Sequence, residues 1–260
     1  MTPLVTSIRA ALATDGYCHV PCFPCDSSGR NLVLLARALG TVYAPPDVDP
    51  DHPLIETSPT AGGNDLAPFD RAESIGWHND FSTHVERPRV SFAYLDRPDP
   101  LGGEYGAWRA ASCDRVLVQL NATVHGQQIV RALVERDQPF SFSGEGVPGS
   151  FRVLERRERM SGRLGFRFYG RALRDGARLA FGSVPDETER AIATVERAAS
   201  AVGETLAAHH GALLITDNWH SLHDRLQQSV ESTRPLRRSL LCFVSELHDL
   251  DSTEGAGPER

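Results

Sequence analysis

The chain has 260 residues, a formal net charge of −7 and an isoelectric point near 5.8. Hydrophobic residues make up 40% of it and charged residues 23%, which suits one large domain with a buried core. The acidic balance and the lack of a basic run argue against a nucleic-acid partner. No apolar run is long enough to span a membrane, and the N-terminus lacks a secretory signal pattern. We therefore expect a cytoplasmic protein with a small-molecule partner, in an oligomeric state that the sequence leaves open.

Two unusual features of the composition have simple explanations. All 27 basic residues are arginine, as codon usage in a GC-rich bacterial genome would produce, although arginine also suits pockets for acidic ligands. The five cysteines are an odd number, as expected in a reducing compartment. Cys18, Cys22 and Cys25 lie close together without the paired spacing of a zinc site. We interpret them as small core residues.

The N-terminal part predicts helices alternating with short strands. A helix over residues 3–15, ended by Gly16, precedes a strand in "YCHVPCF". A second helix in "RNLVLLARAL" is ended by Gly40 and is followed by a short strand in "TVYAP". Residues 44–73, with several prolines and acidic residues, predict a long loop. Loops of this length inside a compact domain are often lids.

The rest of the chain predicts a β core flanked by helices. Apolar strands are expected at 89–96, 212–217 and 237–244, and a hairpin in "FRVLERRE" and "RLGFRFYGR". Helices are expected at 112–120 and, most clearly, over 185–210. The prediction is therefore a mostly β single domain over residues 1–248. A disordered tail over 249–260 would follow it.

The stretch "GWHNDFST" contains the first candidate metal ligands, His78 and Asp80. In an extended segment residues two apart point to the same side, so this imidazole and this carboxylate can meet one ion. The pattern alone is weak, because His84 and Glu86 have the same spacing and either pair could be a surface ion pair. A metal site also needs a third ligand from elsewhere in the chain.

The stretch "ALLITDNWHSLHDR" offers that ligand at the end of an apolar strand. Either His220 or His223 would complete a set of two histidines and one carboxylate, which is typical of non-haem Fe(II) oxygenases. Such a site leaves positions for a chelating 2-oxo acid, whose distal carboxylate needs a cation, best an arginine. Arg234, Arg237 and Arg238 lie just downstream, and both faces of that strand look apolar, so periodicity does not choose between them.

Four motifs together resemble the taurine dioxygenase/clavaminate synthase-like family of Fe(II)/2-oxoglutarate oxygenases. They are "WHND", "GGE" at 102–104, "DNWHSLHDR" and "RPLRR". The third is similar to the family's Asp-Asn-x-x-x-x-His-Gly-Arg pattern, which aligns with His223 and leaves His220 at a variable position. The resemblance implies a double-stranded β-helix, or jelly roll, with Fe(II), 2-oxoglutarate and dioxygen as cofactor and co-substrates.

The resemblance also implies roles for particular residues. His78, Asp80 and His223 would bind iron. Arg238, 15 residues after His223, best matches the arginine that binds 2-oxoglutarate, with Arg237 as the fallback. The remaining candidates are Arg225, which matches the family's arginine after the ligand histidine, and Tyr105, which stands where the family usually has threonine. Asp224 replaces the family's glycine.

The implied activity is hydroxylation of an unactivated C–H bond in a small polar metabolite. We expect a free amino acid or a derivative, in bacterial specialised metabolism. Related halogenases lack the carboxylate ligand, so Asp80 favours hydroxylation over halogenation. Desaturation or cyclisation, or a nucleoside or carrier-bound substrate, are the alternatives on the same scaffold. The alternatives from other classes are a non-oxidative metal-binding module and a zinc hydrolase.

Overall fold

The computed structural model describes residues 2–60, 68–142, 147–156, 163–230 and 233–248. The tail predicted over 249–260 and the turn of the predicted hairpin lie outside these ranges. The helices are α1 (Thr2–Thr14), α2 (Arg30–Leu39), α3 (Cys113–Asn121), α4 (Val124–Glu135), α5 (Gly170–Phe181) and α6 (Asp186–Val202). The strands are β1 (Tyr17–Val20), β2 (Gly40–Tyr43), β3 (Ile55–Thr57), β4 (Val90–Arg97), β5 (Trp108–Ser112), β6 (Asp137–Phe140), β7 (Gly149–Arg152), β8 (Leu154–Arg156), β9 (Leu164–Phe166), β10 (Glu204–Leu206), β11 (Leu213–Asp217), β12 (Ser221–Arg225) and β13 (Arg238–Leu247).

Two antiparallel sheets form the centre of the fold. The larger has the order β1-β11-β4-β13-β2, with β3 also pairing with β13. The smaller has the order β10-β5-β12. Two short hairpins, β6-β7 and β8-β9, lie outside these sheets.

The alternation of side chains along β4 explains how the layers stack. Phe92 and Tyr94 belong to the apolar cluster that includes the buried faces of α1 and α2, whereas Leu95 packs into a second cluster with Trp108 of β5. Each face of the larger sheet therefore has its own apolar partner, helices on one side and the smaller sheet on the other. A third cluster joins α3–α6 to the smaller sheet through residues such as Leu222.

The described structure contains more helix than the sequence predicts, and it is a mixed α/β fold. Helices α4 and α5 were not predicted. α4 begins at a good cap, since the Thr123 hydroxyl accepts a hydrogen bond from the Gly126 N–H, and its buried Ile129 and Leu133 are four residues apart. The second strand of the predicted hairpin ends at Phe166, because α5 begins at Gly170.

Two other predicted boundaries also differ. The helix predicted over 185–210 ends at Val202, and β10 follows it. A side chain at Gly203 would collide with the Trp77 ring, so the close approach of the two elements requires glycine there. The loop predicted over 44–73 contains β3, which pairs with β13. No helix among the described residues has the length and apolar character needed to cross a membrane.

We expect Gly16→Ala to destabilise the protein more than Gly182→Ala. Both glycines have positive φ, 79° and 78°, so each substitution carries a strain of about 1–2 kcal/mol. At Gly16 a Cβ would also lie 2.4 Å from the His220 carbonyl oxygen, whereas at Gly182 it would meet nothing within 4 Å. Urea unfolding measures the difference. Equal losses of stability in the two variants would contradict this account of the packing around Gly16.

Candidate metal centre and its cavity

Three predicted ligands lie together in the structure. Nitrogen and oxygen atoms of His78, Asp80 and His223 all lie within 4.8 Å of one another. The Asp80 carboxylate faces both rings, with Oδ1 3.5 Å from His78 Nε2 and Oδ2 3.5 Å from His223 Nε2. His220 points elsewhere, since its Nδ1 lies 3.3 Å from Asp217 Oδ2. Glu86 of the competing pair is not part of the described cluster.

Backbone pairing holds the two histidines side by side. The His78 N–H donates to the His223 carbonyl at 2.9 Å, and the His223 N–H donates to the His78 carbonyl at 3.0 Å. This antiparallel bridge extends the smaller sheet beyond β12 and brings the ring centroids to 4.3 Å. The rings converge because such directly opposed residues project their side chains to the same face of a sheet.

Two asparagines fix the backbone around Asp80. The Asn79 amide donates to the Ser221 carbonyl at 2.6 Å, and its oxygen accepts from the Phe168 N–H at 2.8 Å. Asn218 accepts the Asp80 N–H at 3.1 Å through its side-chain oxygen. Both residues are buried, so their amides satisfy backbone groups that water does not reach. Each of the three residues 78–80 is thus anchored by its main chain or side chain.

The hydrogen bonding of the two rings differs. His78 Nδ1 lies 2.8 Å from the Gly76 carbonyl oxygen, so it carries the proton and Nε2 is left as a free donor atom for a metal. His223 Nδ1 has no hydrogen-bond partner within the described ranges. The His223 ring is therefore positioned by the β12 backbone and by packing.

The charges of the cluster favour an ionised carboxylate between the rings. Burial raises the pKa of Asp80, but His223 and His78 outweigh burial and hold it well below its usual value. Burial lowers the pKa of His78, yet Asp80 and the Gly76 carbonyl more than compensate and raise it overall. Burial and the neighbouring His78 lower the pKa of His223. A metal binds an ionised carboxylate and neutral imidazoles, so the lowered pKa values of Asp80 and His223 favour binding, whereas the raised pKa of His78 opposes it.

The cluster opens into a cavity between the two sheets. Its walls are mainly apolar and aromatic, and it is lined by Ile55, Phe69, Ile75, Phe81, Phe92, Ala93, Trp108, Phe142, Tyr169, Leu214, Leu241 and Phe243. Polar and charged groups complete the lining at Thr57, Asn79, Ser82, His84, Ser91, Thr216, Asp224, Arg225, Arg237 and Ser239. An apolar cavity with a few polar groups is the usual form of a small-molecule site.

The two arginines at the start of β13, the preferred Arg238 and the fallback Arg237, point to opposite sides of the strand. Arg237 lines the cavity. Arg238 lies outside the described lining, and its guanidinium bonds Asp96 at 2.8 Å and Glu56 at 2.7 Å. Periodicity could not choose because odd-numbered residues of β13 face the cavity and even-numbered ones face the helices, and both sets are apolar.

Arg237 is a buried cation with unused hydrogen-bonding groups. Its Nη1 donates to the Ser239 hydroxyl at 2.7 Å, whereas Nε and Nη2 have no hydrogen-bond partner within the described ranges. Burial, and then the nearby Arg225, lower its pKa to about 9. A buried guanidinium of this kind is costly unless an anion binds it.

Arg225 and Tyr105, the other two candidates for the co-substrate site, lie in different environments. Arg225 is buried and lines the cavity, and its guanidinium donates to the carbonyl oxygens of Arg71 and Leu226. Tyr105 is exposed, in the turn that precedes β5, and is not among the described residues that line the cavity. The sequence analysis assigned no role to Ser239 or to the two asparagines, although both asparagines stand inside the motifs "WHND" and "DNWHSLHDR".

The family model for the taurine catabolism dioxygenase TauD, TfdA family matches residues 2–240. The chain belongs to this family. Its members depend on Fe(II) and 2-oxoglutarate and use dioxygen, so the chain is an Fe(II)/2-oxoglutarate-dependent oxygenase, as the four motifs predicted. No curated protein sequence matches this member of the family.

Solved structures show the same fold at low sequence identity. Asparagine oxygenase superposes with a TM-score of 0.73 at 19% identity, over 99% of this chain and 82% of its own. The non-heme iron oxygenase OrfP, in complex with Fe and α-ketoglutaric acid, gives 0.67 at 14% identity, over 94% and 80%. A taurine dioxygenase from Burkholderia xenovorans gives 0.62 at 15% identity, over 96% and 83%.

We expect His78→Ala, Asp80→Ala and His223→Ala each to abolish Fe(II)-dependent oxidation of 2-oxoglutarate. Each change removes one ligand of three, whereas His220→Ala removes a ring that pairs with Asp217. The measurement is succinate release, with anaerobic Fe(II) binding as a second readout. His220→Ala is the matched control and should keep both properties. Retention of iron binding and turnover by His223→Ala would refute the assignment.

Proposed function

We propose that this oxygenase hydroxylates an unactivated C–H bond of a small polar metabolite, a free amino acid or a derivative. In this proposal His78, Asp80 and His223 hold iron, and Arg237 binds the distal carboxylate of 2-oxoglutarate. The observation that carries it is that the His–Asp–His cluster and a buried guanidinium, two of whose nitrogens have no described hydrogen-bond partner, line one cavity. We also propose that the two sheets correspond to the double-stranded β-helix predicted from the resemblance.

The residues of the cluster fit a ferrous ion. Two imidazole nitrogens and one carboxylate oxygen are the donor set of non-haem iron oxygenases. The His78 hydrogen bond to the Gly76 carbonyl leaves Nε2 free on the side of Asp80. All three ligands line the open cavity, so co-substrates can reach the remaining coordination positions. This access distinguishes the cluster from a closed structural metal site.

Arg237 fits the distal carboxylate of a 2-oxo acid. Its Nε and Nη2 are two adjacent donors without partners, and a guanidinium binds a carboxylate through two parallel hydrogen bonds. Ser239 bonds the third nitrogen and so orients the guanidinium plane. Trp108 packs 5.6 Å from the guanidinium carbon and restricts its movement. We therefore propose Arg237 for this role, with Arg238 as a structural ion-pair residue.

Bound iron and 2-oxoglutarate supply the oxidising chemistry that transfers an oxygen atom from dioxygen to the substrate. The side chains of this chain contribute position and shielding. Phe81, Phe142 and Tyr169 line the cavity beside the cluster, where their rings exclude water from it. Arg225 is held by backbone carbonyls at the cavity wall and adds positive charge for anionic ligands.

The class of substrate is supported by the structural neighbours. The asparagine oxygenase was solved with 3-hydroxyasparagine and succinate, and OrfP with hydroxylated arginine. These are amino acids oxidised by proteins that share the fold, at 14–18% identity. A carboxylate ligand at position 80 favours hydroxylation over halogenation in this chain as well.

We expect succinate formation to rise several-fold above the uncoupled rate when the correct free amino acid is added. The reason is that a bound substrate accepts the oxygen atom that is otherwise wasted. A panel of the common L-amino acids, followed by mass spectrometry for a gain of one oxygen atom, provides the measurement. Desaturated or cyclised products would show that the enzyme catalyses one of the alternative reactions instead of hydroxylation. No stimulation by any member of the panel would contradict the amino-acid assignment.

We expect Arg237→Ala to weaken 2-oxoglutarate binding by about 100-fold, the effect of losing a charge-assisted pair worth about 3 kcal/mol. The reason is that the variant removes the guanidinium just before β13 that lines the cavity. The visible band that forms when a 2-oxo acid chelates Fe(II) under anaerobic conditions measures the affinity. Fe(II) binding alone should change little.

Arg238→Ala is the matched control, because it removes a neighbouring arginine from the same strand. It should lose some stability with its Asp96 and Glu56 partners but keep the affinity for 2-oxoglutarate. If Arg238→Ala weakens 2-oxoglutarate binding and Arg237→Ala does not, the proposed roles of the two arginines are wrong.

A further inference from the structure

Asp224 is the residue directly after His223, and it departs from the glycine that the family usually has there. Its side chain is fully buried and lies opposite Arg109 in the pairing of β12 with β5. Arg109 Nε donates to Asp224 Oδ2 at 3.0 Å, so the buried charge is neutralised. The guanidinium of Arg109 in turn stacks 4.8 Å from the Trp77 ring.

The other oxygen of Asp224 reaches the segment that leads into the cluster. Oδ1 accepts the Gly76 N–H at 2.8 Å and the Ser74 hydroxyl at 2.9 Å. Gly76 has a left-handed φ of 86°, and its carbonyl accepts the proton of His78 Nδ1 at 2.8 Å. Gly76 therefore connects Asp224 to the ring of His78: its N–H is bound by Asp224, and its carbonyl oxygen is bound by the ring.

From this geometry we infer that Asp224, supported by Arg109, is a positioning residue that fixes the ring of His78 for metal binding. The inference rests on the proposed function, in which His78 is an iron ligand. A glycine with positive φ adopts several conformations unless its backbone is held. The bond from Asp224 selects one of them, and that choice directs the Gly76 carbonyl toward Nδ1. The Nε2 atom of His78 then points at Asp80 before any metal arrives.

The bond to Gly76 matters more here because the other histidine lacks an equivalent. His223 Nδ1 has no partner in the described structure, so the His78–Gly76 bond is the one described hydrogen bond that orients a ligand ring through its distal nitrogen. Hydrogen bonds of this kind set both the tautomer and the orientation of a metal-binding imidazole, and their loss commonly weakens metal binding 10–100-fold. The buried pair of Asp224 and Arg109 thus acts on the cluster through Gly76, and neither residue is a metal ligand.

The test compares metal affinity across variants of this connection. We expect Asp224→Gly to weaken anaerobic Fe(II) or Co(II) binding about 10-fold or more. Asp224→Asn keeps an acceptor for the Gly76 N–H and should restore part of that affinity. Arg109→Gln leaves Asp224 in place without its cation and should cause a smaller loss.

A matched control separates positioning from general stability. Asp99 is also buried and accepts hydrogen bonds from Leu101 and Ser229, but it contacts none of the candidate ligands. Asp99→Asn should lower the melting temperature and leave metal affinity unchanged. If Asp224→Gly does not fold, the comparison of Asp224→Asn and Arg109→Gln with Asp99→Asn decides the question.

The outcomes distinguish this inference from the proposed function. If the wild-type protein binds neither Fe(II) nor Co(II), the proposed metal site itself is wrong. If the wild-type protein binds metal, and the folded Asp224 and Arg109 variants bind it equally well, the site stands and the inference is overturned. A loss of metal affinity in these variants but not in Asp99→Asn supports it.

Discussion

The candidate site depends on the antiparallel bridge between His78 and His223. These two residues are 145 positions apart, and a pair of main-chain hydrogen bonds places them opposite each other. Main-chain bonds are insensitive to side-chain identity, so the scaffold can present the rings without using their nitrogens for support. Asp80 then needs only the extended spacing of residues two apart to reach both rings. Asn79 and Asn218 prevent this short segment from shifting.

The sequence was sufficient to select the three residues of the His–Asp–His cluster, but it did not predict which residues line the cavity. A histidine and an aspartate two residues apart, and a histidine shortly after an apolar strand, are local patterns that can be recognised without knowledge of the fold. The choice of His223 over His220 came from the resemblance, and the structure places only His223 in the cluster. The sequence could not predict which side of the strand Arg237 occupies. Both faces of β13 pack against apolar layers, so the alternation of polar and apolar residues does not distinguish them.

The fold was predicted least well where helices cover the smaller sheet. Helices α4 and α5 contain glycines, Gly126 in the first and Gly176 in the second, which count against a helix in the sequence, and burial against α6 and the smaller sheet stabilises both helices. The resemblance also gave Tyr105 as a candidate co-substrate contact, and Tyr105 lies outside the described lining of the cavity. The turn at 102–106 points it toward solvent, and a motif match carries no information on the direction of a side chain within a turn.

Charge balance explains why the cavity needs its ligands. Asp224 is neutralised by Arg109, and Asp80 lies between two imidazoles, so Arg237 is left as a buried cation with two unused donors. A divalent cation at the cluster would add to this positive charge, whereas the dianion of a 2-oxo acid in the same cavity would reduce it. The two ligands therefore favour each other's binding through the protein. The buried guanidinium of Arg237 carries an electrostatic cost, which Asp99 offsets in part and which an anion in the cavity would lower further.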